Sequence, residues 1–295
     1  MTATPADVDV PGIGVPGVGV LGGGRMGAGI AHAFTLAGCR VSVVEQDDTQ
    51  AAAAMTRIAE ALRASIDRGT VQVDLAELVR RVTVGTDDTV FESCGLVIEA
   101  VPEDYGVKVA SLARIERRVT SGAVIASNTS SMSIDDLAAT MSHPGRFLGL
   151  HFFNPVPASE LIEIVTGGAT SPAVVEDAQR WVAALGKTPV TVRDSPGFAS
   201  SRLGVAIGLE AIRMLEEGVA SAADLDAAMV LGYKFPVGPL RLTDIVGLDV
   251  RLGIADYLHA QLGERFAPPQ LLRDKVEAGQ LGRKSGQGFF AWPES

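Results

Sequence analysis

The strongest chemical signal in the chain is a histidine and a glutamate set into apolar runs. His151, one of only four histidines, ends one such run, and Glu163 follows 12 positions later inside Leu161-Ile-Glu-Ile-Val165. A carboxylate in an apolar strand is costly unless it is paired. A short loop through Pro155 and Pro157 would bring the two runs together, letting Glu163 reach one imidazole nitrogen and leaving the other for a substrate. This is a general base oriented and made more basic by a carboxylate, suited to taking a proton from an alcohol as hydride leaves. A buried His–Glu pair serving structure only is the plainer alternative, and a lone histidine favours it. The dinucleotide motif described next tips the reading to the base. His32, His143 and His259 read as structural or exposed.

Gly22, Gly24 and Gly27 occupy the glycine positions of G-x-G-x-x-G, with Met26 among them. The motif follows an apolar run, opens an amphipathic stretch, and stands 18 residues before Glu45 at the end of the next β-rich run. The first glycine permits a tight turn, the second lets backbone approach a pyrophosphate, and the third lets the helix pack on the strand. The helix N-terminus adds free N–H groups and partial positive charge. Glu45 would accept the adenosine ribose hydroxyls and repel a 2′-phosphate, so NAD is expected over NADP.

Two further segments stand where strands end, the edge at which open α/β sheets bind ligands. Gly95-Leu-Val-Ile-Glu-Ala-Val-Pro-Glu103 reads as a buried strand ending in Glu99 and then Glu103, with Lys108 one turn into the next helix. From the residues alone, Glu103 complements a helix dipole and Lys108 is a solvated face residue. Ser127-Asn-Thr-Ser-Ser131 is either a helix cap and turn or a row of donors at the ligand edge, with nothing local to separate the two. Arg68, at the end of a long helix over about 48–67, and Lys284 could each meet an anionic ligand, although solvated charge is the default for both.

These residues need a scaffold, and the wider pattern supplies one. The chain has 295 residues, 47% hydrophobic and 20% charged, and a formal charge of −10, which describes a core-forming protein of about two domains. The acidic balance excludes a nucleic-acid scaffold. No run is long enough to span a bilayer and the start lacks a secretory signal, so a cytoplasmic protein without a membrane partner is expected. Cys39 and Cys94 read as two small buried thiols, and no ligand spacing suggests a metal.

Residues 1–16 read as a flexible arm. Over 17–193, short apolar runs alternate with helical-period segments, giving an α/β Rossmann-type domain with a mostly parallel sheet covered on both faces. From 194 to 295 the pattern is helical, with segments at 197–217, 221–231, 239–246, 248–261 and 268–278, and strand-like alternation returns only at Phe289-Phe290.

Taken together and in order, these segments resemble the L-3-hydroxyacyl-CoA dehydrogenase family, including its bacterial 3-hydroxybutyryl-CoA dehydrogenases. The resemblance runs from about Val18 to Trp292, and Ala126-Ser-Asn-Thr-Ser-Ser131 with Gly149-Leu-His-Phe-Phe-Asn-Pro-Val-Pro157 carries most of its specificity. It implies an N-terminal NAD-binding domain, a helical C-terminal domain through which two chains dimerise, and a thioester substrate in the cleft between domains. It implies His151 as acid/base and Glu163 as its orienting partner. Glu103, Lys108, Ser130, Asn154 and Lys284 fall on cofactor-contacting positions, Ser130 and Asn154 also lie near the substrate, and Arg68 falls near a lysine associated with the CoA moiety.

The sequence departs from the family at Ser201, where the Pro-Gly-Phe-x-x-Asn-Arg motif commonly carries an Asn near the substrate carbonyl, and at Glu45, where the family has Asp. The first bears on the pocket's shape; the second keeps the charge. The expected activity is reversible NAD-dependent oxidation of a short-chain (S)-3-hydroxyacyl-CoA to the 3-oxoacyl-CoA, with Ser130, Asn154 and Ser201 on the substrate oxygens. A free hydroxy acid or a carrier-protein-linked substrate, and a non-catalytic NAD-binding protein, are the rival readings.

Overall fold

The computed structural model describes residues 14–15 and 17–293, so most of the expected N-terminal arm lies outside the described residues. The chain divides into two units, one ending at Asp194 and the other beginning at Ser195.

The first unit is built on eight strands: β1 (Val18–Leu21), β2 (Val41–Val44), β3 (Val82–Gly85), β4 (Leu96–Glu99), β5 (Val124–Ser127), β6 (Phe147–Phe152), β7 (Leu161–Thr166) and β8 (Thr188–Arg193). Its helices are α1 (Arg25–Leu36), α2 (Asp48–Asp67), α3 (Leu75–Arg80), α4 (Tyr105–Glu116), α5 (Ile134–Ala138) and α6 (Pro172–Ala184). The strands form one sheet in the order β3-β2-β1-β4-β5-β6-β7-β8, and every neighbouring pair is parallel except the antiparallel β6 and β7.

Strands β1, β4, β5 and β6 are buried at every position, which is why they read as unbroken apolar runs rather than alternating ones. Strand order reverses at β1, which lies between β2 and β4 and so opens a crevice at the carboxyl ends of the strands. Because β1, β4, β5 and β6 all run the same way, the glycine loop, Glu99, the 128–131 loop and His151 fall at or beside one edge of the sheet.

Helix starts in this unit differ in a way that matters at that edge. Asp47, Asp104 and Ser133 cap α2, α4 and α5 by accepting from Gln50, Val107 and Asp136 backbone N–H groups. Helix α1 begins instead at Gly24, with no side-chain cap and no acid in its first turn.

The second unit contains α7 (Ser200–Glu216), α8 (Ala222–Ala227), α9 (Pro239–Val246), α10 (Leu248–Leu262) and α11 (Gln270–Glu277), packed around Val205, Leu209, Ile212, Leu240, Leu248 and Leu258. The expected strand at Phe289-Phe290 is absent; isolated bridges join Gly282 to Gln287 and Gln287 to Ala291. The tail is held by Asp244 of α9, whose carboxylate accepts from Phe289 N, Phe290 N and Trp292 Nε1 at 2.8, 2.9 and 2.8 Å. Half-buried donors therefore find a side-chain acceptor where a ladder would otherwise have supplied one. No helix among the described residues is long and apolar enough to cross a membrane.

Candidate active site

His151 on β6 and Glu163 on β7 are direct cross-strand partners in the antiparallel register. Residues facing each other across such a pair share a side of the sheet, and His151 Nδ1 lies 2.8 Å from Glu163 Oε2 with both side chains buried. The carboxylate fixes the ring's orientation and favours the tautomer that carries its proton on Nδ1. The Phe153 ring packs against the imidazole at a centroid distance of 4.4 Å.

The glycine loop follows β1, and two of its three motif glycines, Gly22 and Gly27, have a steric reason. Gly22 adopts φ +96, and a Cβ there would lie 2.8 Å from the Ala100 carbonyl. A Cβ on Gly27 would overlap the Gly22 carbonyl, so this glycine is what lets α1 pack on the turn. At Gly24 a Cβ would meet nothing within 4 Å, so this glycine faces open space at the uncapped start of α1. Backbone donors bordering an open side suit a pyrophosphate. Met26 is half-buried and packs on the core below the loop. Glu45 Oε1 accepts from Gly23 N at 2.6 Å, which pins the carboxylate beside the loop.

The surface reading of Lys108 is overturned. Its ammonium is buried and lies 2.8 Å from Glu99 Oε1 and 3.1 Å from Glu103 Oε2, a position for organising the edge from beneath. Ser127 Oγ donates to Glu99 Oε2 at 2.5 Å. Glu103 Oε1 accepts from Thr129 Oγ1 at 2.5 Å, Ser130 N at 3.0 Å and Ser131 Oγ at 3.2 Å, so Glu103 clamps the whole 129–131 loop rather than only complementing a helix dipole. Burial by itself would raise the Glu103 carboxyl, but the Lys108 charge and these donors outweigh it and hold it below the ordinary carboxylate range. Asn128 adds a tie, its Oδ1 accepting from Phe152 N at 2.9 Å next to His151.

Glu99, Ser127, Asn128 and Thr129 were read from the sequence as a strand end and a stretch of polar donors, but none was assigned a role in the site. The available signal was the charge of Glu99 at the end of a fully apolar run, which demands a buried partner.

Arg68 is the C-cap residue of α2 and lines a cavity of about 780 Å³ between α1, α2 and the 155–158 and 184–187 segments. Its Nη2 is 3.3 Å from Ser65 Oγ, and Lys187 adds a second cation to the wall. His32 is also there, Nε2 2.8 Å from Ser65 Oγ. Burial first, then the charges of Arg68 and Lys187, push its pKa down to about 4, so it is neutral at pH 7. Asn154 is exposed in the loop between β6 and β7.

Two other singled-out residues belong to the helical unit. Ser201 lies in the first turn of α7. Lys284 Nζ is 2.6 Å from Asp249 Oδ2, an ion pair that offsets the effect of burial and lowers the Asp249 carboxyl. Cys39 and Cys94 are buried, and burial pushes both thiols up to about 11, which leaves them protonated and unreactive.

Residues 17–195 match the family model described as 3-hydroxyacyl-CoA dehydrogenase, NAD binding domain, and residues 197–292 match 3-hydroxyacyl-CoA dehydrogenase, C-terminal domain. The chain belongs to the 3-hydroxyacyl-CoA dehydrogenase family. Among its relatives, a 3-hydroxybutyryl-CoA dehydrogenase of Mycobacterium tuberculosis is 43% identical over 268 residues, covering 90% of this chain and 94% of the relative. A probable 3-hydroxybutyryl-CoA dehydrogenase of Bacillus subtilis is 37% identical over 268 residues, covering 90% and 93%. The crystal structure of (S)-3-hydroxybutyryl-CoA dehydrogenase from Ralstonia eutropha superposes with a TM-score of 0.90 at 37% identity, over 95% of this chain and 100% of that one. As a 3-hydroxyacyl-CoA dehydrogenase the protein is an oxidoreductase that uses NAD. The open Gly24 face, the uncapped α1 and the Glu45 carboxylate fit that cofactor.

Proposed function

We propose that the protein catalyses reversible oxidation of short-chain (S)-3-hydroxyacyl-CoA to 3-oxoacyl-CoA. The observation that carries this reading is the 2.8 Å His151–Glu163 pair at the sheet edge that also presents the glycine loop. NAD held at the glycine loop would supply the hydride acceptor for C3 of the substrate. His151 Nε2 takes the C3 hydroxyl proton, and Glu163 stabilises the imidazolium that results. In the reverse direction the same nitrogen returns the proton to the forming alcohol.

Gly22, Gly24, Met26, Gly27 and Glu45 are assigned to the cofactor. Ser130 and Asn154 serve the cofactor and the substrate oxygens, and Ser201 the substrate oxygens. Glu103 and Lys108 act by holding the 129–131 loop, and Lys284 is assigned to the cofactor.

Arg68 is assigned to the CoA moiety. A cavity carrying Arg68 and Lys187 suits a phosphorylated nucleotide handle, which favours a CoA thioester over a free hydroxy acid or a carrier-linked group. A buried carboxylate aimed at an imidazole argues against a merely cofactor-binding protein.

The protein acts as a cytoplasmic homodimer joined through its helical unit. Support for the dimer comes from large apolar side chains left exposed there, with Leu203 and Ile207 on α7, Leu242 and Val246 on α9, and Val250 on α10.

Absorbance at 340 nm with acetoacetyl-CoA and NADH tests the activity, with the His151→Ala variant as control. Rapid NADH oxidation by the wild type alone is expected, and equal rates in the two proteins overturn the mechanism.

A further inference from the structure

Gly23, between the first two motif glycines, is held from both sides by opposite charges. Its N–H donates to Glu45 Oε1 at 2.6 Å, and its carbonyl accepts from Arg57 Nη1 at 3.3 Å. The guanidinium reaches the loop because α2 packs closely there. A Cβ on Gly23 would collide with Ala54, and Arg57 follows Ala54 by three positions on the same helix face. Glu45 and Arg57 therefore arrive at one residue from two elements, β2 and α2.

The remaining charges after β2 are acidic. Asp47 is committed to capping α2, and Asp48 lies in that helix's first turn. Arg57 is held at the loop by a neutral carbonyl, which orients the guanidinium without cancelling its charge. A cation set beside the carboxylate that reads the adenosine ribose lies where an NADP 2′-phosphate would project. Neither the composition nor the glycine motif announces it, because Arg57 is one of several charged residues on a long exposed helix.

We infer that Arg57 is a cofactor-specificity residue, a guanidinium placed to contact the 2′-phosphate of NADP, and that Glu45 keeps this contact suppressed. The preference for NAD then comes from one repelling carboxylate rather than from lack of a phosphate-binding cation. Neutralising Glu45 exposes a contact already in place, because a planar guanidinium pairs with phosphate oxygens through two parallel N–H bonds. Arg57 is exposed, so solvent and salt limit the effect.

The inference rests on the dinucleotide reading of the glycine loop, and its test is a set of dissociation constants rather than rates. NADH and NADPH are titrated by nucleotide fluorescence into the full-length wild type, Glu45→Gln, Arg57→Ala and the double variant. Glu45→Gln is expected to tighten NADPH by about tenfold, equivalent to about 1.4 kcal/mol, and adding Arg57→Ala is expected to remove that gain. In Arg57→Ala alone, the ratio of the NADPH to the NADH constant rises. Combining Glu45→Gln with Arg57→Lys retains part of the gain, which separates loss of charge from disturbance of α2. A gain that survives intact in the Ala double variant, or no gain in Glu45→Gln, overturns the inference alone. Failure of the wild type to bind NADH overturns it together with the cofactor reading.

Discussion

Glu99 Oε1 and Lys108 Nζ lie 2.8 Å apart with side chains 0% and 1% exposed, joining the last residue of β4 to the first turns of α4 beneath the sheet's functional edge. Lys108 passes that order on to Glu103, and Glu103 to the loop that carries Ser130. Removing Glu99 leaves the buried Lys108 ammonium with the more exposed Glu103 as its remaining counter-charge, so the cost lies at the low end of the about 3 to 5 kcal/mol of a broken buried pair. Glu99→Gln is expected to lose that much in urea unfolding. The Glu99→Gln, Lys108→Met double variant should lose less than the two single losses added together, because it buries no orphan charge. Strict additivity would mean that the pair is not coupled.

Catalysis should depend unequally on the two members of the cross-strand pair. His151→Ala removes the proton-transfer group and is expected to lower kcat by about 10² to 10⁴. Glu163→Gln keeps a hydrogen-bonding side chain across from the ring but not the charge that stabilises the imidazolium, so a smaller drop is expected. Steady-state kinetics in both directions checks the order, and a Glu163→Gln enzyme with unaltered kcat would remove Glu163 from the mechanism.

Acid sensitivity should trace in part to His32. Its folded pKa of about 4 lies below the ordinary 6.5, so between those values the unfolded chain holds a proton that the folded one does not. Stability from this group is intact above pH 6.5 and falls as the pH drops towards 4, by about 2 kcal/mol between pH 7 and pH 5. Urea unfolding at the two pH values should show this loss in the wild type and a smaller one in His32→Gln. Equal losses would mean that His32 titrates normally in the fold.

Arg68→Ala should raise KM for acetoacetyl-CoA by about tenfold, the scale of one charge-assisted hydrogen bond. The pantetheine thioester of the same acyl group, which lacks the nucleotide, should be indifferent to the substitution. A matching rise for both substrates would place Arg68 away from the nucleotide handle.

Much of the site was legible because its signals are local. Gly22, Gly24 and Gly27 stand between a strand and a helix, and steric demand accounts for Gly22 and Gly27 while Gly24 leaves the helix start open. His151 and Glu163 stood out because charge inside apolar runs asks for a partner, and a short connection places the two runs side by side. The parallel strands were readable for the same reason, since burial on both faces leaves unbroken apolar runs.

What stayed hidden were properties shared among distant residues. Lys108 read as a solvated surface residue because helical spacing records which way a side chain points, not that two carboxylates wait beneath it. His32 read as structural or exposed, yet its depressed pKa arises from enclosure and from Arg68 and Lys187, which different elements bring to one cavity wall. Phe289-Phe290 alternated like a strand, but Asp244 takes the backbone donors that a ladder would have used.

By itself, then, the sequence determined the glycine turn, the parallel strands and the pairing of His151 with Glu163, because covalent neighbours and a fixed repeat decide these. Only the tertiary structure decided which charges meet. Coulombic partnership depends on a few ångströms of separation and on the exclusion of water, and neither is defined until the sheet has assembled.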